Sequence, residues 1–163
     1  MNRIVMLALA LSVGLIAVIP PGPADAQTKG GGCAEVRTAS NTGSPAHVRR
    51  TFYDSFGCQV PIRLGVGHIP KRQGDFGWSH IADRRAEGAT NHETTSYAQT
   101  LWQQALRGSR AFYGPNYFCH SVKYRTSGGT KRTMKVFVDY KSYNGYGPKG
   151  IITAYWVSGH TQC

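Results

Sequence analysis

The chain has 163 residues, with 19 Lys and Arg against 8 Asp and Glu, giving a formal charge of +11 at pH 7. This length suits one domain with its own core. The cationic excess favours polyanions such as nucleic acid, anionic lipid or acidic wall polymer, and the scarcity of carboxylates argues against two-metal hydrolytic chemistry.

Arg3, an apolar run over residues 4–19 and the small-x-small triplet Ala24-Asp25-Ala26 have the form of a cleaved secretory leader. The expected mature chain begins at Gln27, is secreted, and keeps no membrane span. All four cysteines lie beyond that cut, and an even number in an exported chain implies two disulfides. Three pairings are open. Cys33–Cys58 with Cys119–Cys163 is preferred, because the second pair would clamp the start and end of a C-terminal sheet. The cysteines lack the close paired spacing of a zinc site, and no metal or other cofactor is expected.

Residues 27–45, rich in Gly, Ser, Thr and Asn, read as a flexible lead-in pinned at Cys33, followed by a single domain over residues 46–163. Residues 45–56 have helical potential, with Val48, Phe52 and Phe56 spaced for one face and Gly57 as the stop. Residues 58–69 are β-leaning but interrupted by Pro61, Gly65 and Gly67, which suits a short edge strand or irregular turn. A second helix is expected over residues 76–86, with Asp75 as its cap and Gly88 as its end. A third over residues 92–106 carries a stripe of Tyr97, Ala98, Leu101, Trp102, Ala105 and Leu106, closed by Gly108.

After Gly114-Pro115 the composition turns to Val, Ile, Thr and aromatics. Strands are expected over residues 118–126, 132–140 and 151–158, joined by Gly-rich turns into an antiparallel meander. The expected fold class is α+β, with N-terminal helices packed on that C-terminal meander and two disulfides.

His80 and Arg84 stand four apart, so a helix presents them on one face. Imidazole can act as base or acid near neutral pH, and guanidinium grips phosphate with paired hydrogen bonds. RNA cleavage through the 2′-hydroxyl asks for such a pair. A solvated helix face with an incidental histidine accounts for the same spacing. His92, in the loop 89–93, is the candidate second acid/base group. His47, His68, His120 and His160 form no metal-ligand spacing.

Strand alternation places Ser121, Lys123 and Arg125 on one side, and groups Ile151, Thr153, Tyr155 and Val157 on another strand. Thr153 and Tyr155 can offer hydrogen bonds to phosphate or a stacking face. Lys123, Arg125 and Lys135, with other cations and with Tyr124, Tyr140, Tyr143 and Tyr146, suggest an RNA-facing surface.

The order of a helix histidine, a longer helix and a final meander with Gly150-Ile151-Ile152-Thr153-Ala154-Tyr155 resembles the barnase/EndoU/colicin/RelE superfamily of ribonucleases. The likeness is closer to toxin domains at the C-termini of polymorphic bacterial toxins, where motifs like HIxxRH and GIxTAY recur. It spans residues 74–158. It implies that His80 is the catalytic histidine, Arg84 its phosphate partner, and Thr153 and Tyr155 the final-strand contribution. Where many such toxins read Arg-His, this chain has Arg84-Arg85, so a second histidine comes from elsewhere.

The expected function is therefore a secreted, metal-independent endoribonuclease. His80 would be the base and His92 or another histidine the acid, with RNA as substrate and an inhibitor or immunity protein as partner of a monomeric enzyme. The alternative is a non-enzymatic basic module that binds wall polymer or lipid.

Overall fold

The computed structural model describes residues 32–163; the expected leader and the start of the lead-in lie outside the described residues. Two helices and six strands follow the order β1 (Val48–Tyr53), β2 (Gln59–Arg63), α1 (Gly77–Ala86), α2 (Ser96–Arg107), β3 (Ser109–Gly114), β4 (Tyr117–Arg125), β5 (Lys131–Ser142) and β6 (Pro148–Ser158). Strands β1 and β2 form one antiparallel hairpin, and β3-β4-β5-β6 form a four-stranded antiparallel sheet in sequence order. Among the described residues, no helix is long and apolar enough to cross a membrane.

The first difference from expectation is β1, which is a strand where a helix is expected over residues 45–56. Apolar residues four apart, such as Val48 and Phe52, share a face in either periodicity, so they do not decide between them. The downstream turn does. Asp54 Oδ1 accepts hydrogen bonds from the backbone N–H groups of Phe56 and Cys58, and Gly57 adopts φ +82°, so the chain doubles back. Phe52 then faces Val60 across the hairpin. The described part of the lead-in is more firmly held than its composition suggests. Ala39 is buried, Arg37 N–H donates to the Tyr146 carbonyl, and Cys33 is bonded to Cys58.

Helix α2 forms where its apolar stripe demands. Thr95 caps it by accepting from Ala98 N–H, and Ala98, Leu101, Trp102, Ala105 and Leu106 are buried. They meet Met134, Val136 and Val138 of β5 and Ala154 of β6, while Phe52, Val60 and Ile62 close the core from the hairpin. Phe52 meets Trp102 edge-on, with ring centroids 6.1 Å apart. Each fully buried aliphatic side chain here contributes roughly 1.5–3 kcal/mol.

Strand β3 was not anticipated, so the meander has four strands rather than three. Strand β6 also departs from simple alternation. Thr153 pairs with Phe137, but Ile151 pairs with the next residue, Val138, so a bulge falls between them. Ile151 therefore turns into the core with Ala154, leaving Thr153 and Tyr155 on the opposite face. Gly150 beside the bulge has φ +86°, and a Cβ there would lie 2.0 Å from the Pro61 carbonyl oxygen. This close approach locks the hairpin against β6.

Arg63 fastens the same region. Fully buried, its guanidinium donates to the carbonyls of Arg37, Ala46, Tyr146 and Pro148, with no carboxylate among its partners. Burial pushes its pKa below the usual arginine value. Both disulfides take the preferred pairing, Cys33–Cys58 and Cys119–Cys163. The second ties the C-terminus to β4.

Candidate active site

Helix α1 begins differently from the sequence expectation. Asp75 is not its cap: Phe76 holds the N-cap position with no side-chain hydrogen bond. Instead the Asp75 carboxylate takes the Arg72 backbone N–H at 2.9 Å and pairs with His68 Nδ1 at 2.6 Å. Burial opposes its charge, but these bonds draw its pKa below the ordinary value. The helix start is set by the segment before it. Ser79 N–H donates to the Leu64 carbonyl, and Val66 bridges to Phe76. Gly65 (φ +71°) lies so close that a Cβ would sit 1.9 Å from the Phe76 carbonyl oxygen.

So anchored, α1 turns His80 and Ile81 inward, with His80 only 5% exposed. His92 approaches from the other side. Helix α2 starts at Ser96 rather than at 92, which leaves His92 in the α1–α2 loop. That loop is stitched to the free edge of β6: Trp156 N–H donates to the Asn91 carbonyl, and Asn91 Nδ2 donates to the Trp156 carbonyl at 3.1 Å. The result brings the His80 and His92 rings to 6.4 Å between centroids, at an interplanar angle of 86°. His92 also stacks on Tyr155, at 5.3 Å and 28°.

The hydrogen bonds define the state of His92. With Asn91 Nδ2 committed to a carbonyl, the amide oxygen faces His92 Nδ1 at 2.9 Å, so Nδ1 carries the proton and donates. The neutral ring then has its lone pair on Nε2. Burial, reinforced by the charge of Arg84 and by His80 and Lys71, pushes the His92 pKa down to about 4. Burial and the Lys71 charge also lower that of His80, but Asp75 opposes the shift there. Two imidazoles are thus held toward their neutral forms chiefly by burial, beside Lys71 and Arg84, while Asp75 and Asp83 act on His80 in the opposite sense and Glu87 pairs with Arg84.

The remaining expected residues divide. Arg84 shares the His80 face, but one Nη is engaged by Glu87. Thr153 and Tyr155 lie on the site's side of β6, and the buried Thr153 hydroxyl has no partner. Burial raises the Tyr155 phenol pKa, so it remains a donor across the neutral range. Lys135 pairs with Tyr155 across the ladder, placing it beside the site, with its Nζ 3.3 Å from the Gln162 carbonyl. Lys123 lies one strand farther away on the same face. Arg125 stands at the far end of the β4–β5 hairpin, bonded to the Gly129 carbonyl, and is not brought to the histidines.

The expected tyrosine surface is also redistributed. Tyr140 faces inward and donates to Asp54, Tyr143 packs on Phe76, and Tyr124 lines a 370 Å³ cavity with Arg132 and Trp156 on the helix side of the sheet. Sequence reading missed Asn91 and Lys71. Asn91 had only its adjacency to His92 as a signal, and Lys71 had none. Among the described residues, no three His, Cys, Asp or Glu side chains gather as a metal site. No family model, curated protein or solved structure matches the chain.

Proposed function

We propose that this chain is a secreted endoribonuclease that cleaves RNA by transesterification through the 2′-hydroxyl. The observation that carries the reading is the meeting of His80 and His92 against Tyr155, under the charges of Lys71 and Arg84. The two disulfides accord with an exported chain. The resemblance to barnase, EndoU, colicin and RelE ribonucleases, which rests on the order of elements around His80 and the Gly150–Tyr155 segment, supports the same chemistry.

The site favours a division of labour opposite to the simplest sequence expectation. His92, neutral with Nε2 free, is the general base that removes the 2′-hydroxyl proton. The 2′-oxygen attacks phosphorus and the bond to the 5′-oxygen breaks. His80, where Asp75 partly offsets the lowering of the pKa by burial and Lys71, supplies the proton to that leaving oxygen. Lys71, Arg84 and the Tyr155 hydroxyl stabilise charge on the phosphoryl oxygens. The products are a 2′,3′-cyclic phosphate and a 5′-hydroxyl. The enzyme works as a monomer, and an inhibitor protein in the producing cell would cover this face.

The test is cleavage of unstructured RNA by oxidised protein with EDTA present, alongside His80→Ala and His92→Ala. Cyclic phosphate ends from the wild type alone support the reading. Folded wild-type protein that leaves RNA intact over a broad pH range would overturn it in favour of a binding module for wall polymer or lipid.

A further inference from the structure

The rings do not stop at the histidines. Tyr155, stacked on His92, is itself stacked on Phe137 at 5.8 Å and 15°. Phe137 meets Tyr117 at 5.9 Å and Tyr113 edge-on at 5.4 Å. One aromatic row therefore runs from the candidate catalytic pair across β6, β5 and β4 to the edge strand β3. It lies on the face away from the helices, and it ends at Tyr113, which is 56% exposed. The β3–β4 register slips between Phe112 and Gly114, a bulge that accompanies the turn of Tyr113 onto this face.

We infer that this row is a stacking platform for the unpaired bases of single-stranded RNA flanking the scissile phosphate. The inference rests on the ribonuclease reading and deepens it by naming the form of substrate. Tyr155 and Phe137 are stacked on their neighbours and extend the row, and the exposed Tyr113 ring offers a face to a splayed base, whereas bases paired in a duplex are already stacked. The charge agrees at Lys135, which pairs with Tyr155 on this face, while Lys123 lies on the same face beyond the tail. The Lys135 ammonium suits a backbone that runs beside stacked bases. The tail, fixed by Cys119–Cys163 and by Cys163 N–H on Ser121 Oγ, forms one border of the row.

Tyr113 is the residue to change, because an exposed ring on an edge strand can be removed without opening the core. The probe is an unpaired RNA octamer, 2′-O-methylated so that it cannot be cleaved, with its duplex as comparison. Tyr113→Ala should weaken octamer binding about fivefold to a hundredfold and leave duplex binding unchanged. Tyr113→Trp should bind as wild type, with its fluorescence quenched by the octamer.

In cleavage, Tyr113→Ala should lose kcat/KM on the unmodified octamer but not on a dinucleotide too short to reach β3. Wild-type affinity of Tyr113→Ala for the octamer would overturn the platform. So would an equal loss on octamer, duplex and anionic vesicles. If the wild type cleaves neither substrate but Tyr113→Ala still weakens octamer binding, the platform stands and the ribonuclease reading falls.

Discussion

Asn91 holds His92 with its amide oxygen while its amide nitrogen holds the Trp156 carbonyl of β6, so one side chain fixes both the tautomer and the place of the candidate base. Asn91→Ala should lower kcat about tenfold to a hundredfold, with much less change in KM, because the ring is freed rather than removed. Asn91→Asp should behave differently. A carboxylate beside Nδ1 favours the imidazolium, so the acid limb of the pH–rate profile should move to higher pH. Titration of the His92 ring by NMR would report the same shift directly.

His80→Ala and His92→Ala should each reduce kcat by roughly a hundredfold to ten-thousandfold, and the double variant should lose less than the product of the two. Both ring pKa values lie below the ordinary histidine value of 6.5, that of His92 at about 4. The base must be neutral and the acid protonated, so kcat/KM should peak on the acid side of pH 6.5. A profile measured over roughly pH 4 to 9 checks this. An optimum well into the alkaline range would count against these two residues as the pair.

Stability should carry an acid signature as well. His120 is fully buried on the core side of β4, and burial, with the charge of Arg110, pushes its pKa down to about 4, as burial does for His92. Below pH 6.5 the unfolded chain takes up protons at these positions that the folded chain refuses. Their contribution is complete above 6.5 and lost as pH falls towards 4, by up to about 3 kcal/mol each. Urea denaturation at stepped pH should show the decline, and His120→Leu should flatten it.

Removing the Cys119–Cys163 bond by a paired Ser substitution should cost about 4 kcal/mol for its separation of 44 residues. The tail should also leave the sheet, releasing Lys135 from Gln162 and Ser121 from Cys163. Thermal denaturation measures the first effect. Faster amide exchange at position 163, whose N–H is held by Ser121 Oγ, in excess of the global change, measures the second.

Arg63→Met should be more damaging than its unchanged bulk suggests. Four backbone carbonyls lose the guanidinium at once: that of Tyr146 keeps the Arg37 N–H, but the bonds lost at Ala46 and Pro148 are buried. A loss of about 3 kcal/mol or more, near 10 °C in melting temperature, is expected in calorimetry. Arg63→Lys should rescue little, since one ammonium cannot span all four acceptors.

Much of this architecture was legible where one physical signal dominated. The α2 stripe from Ala98 to Leu106, the turn at Gly114, and the β-rich composition after it all marked real elements. Legibility failed where two explanations share a spacing, as at Val48 and Phe52, or where a bulge resets alternation, as at Ile151. The short β3 was hidden because its few residues carry no core stripe of their own. In the site, the four-residue spacing of His80 and Arg84 was readable because it lies within one helix. The approach of His92 to His80 depends on Asn91 finding the edge of β6, a contact between residues far apart in the chain that local pattern cannot encode.

The partners of Arg63 also set an order on folding. Its acceptors come from Arg37 and Ala46 on one side of it and from Tyr146 and Pro148 near the other end of the chain. Until the turn before β6 has been made, a compact N-terminal half would enclose a cation with only the Arg37 and Ala46 carbonyls to meet it. The full satisfaction of Arg63 therefore belongs to the complete fold, and the stability of the hairpin is tied to the docking of the last strand.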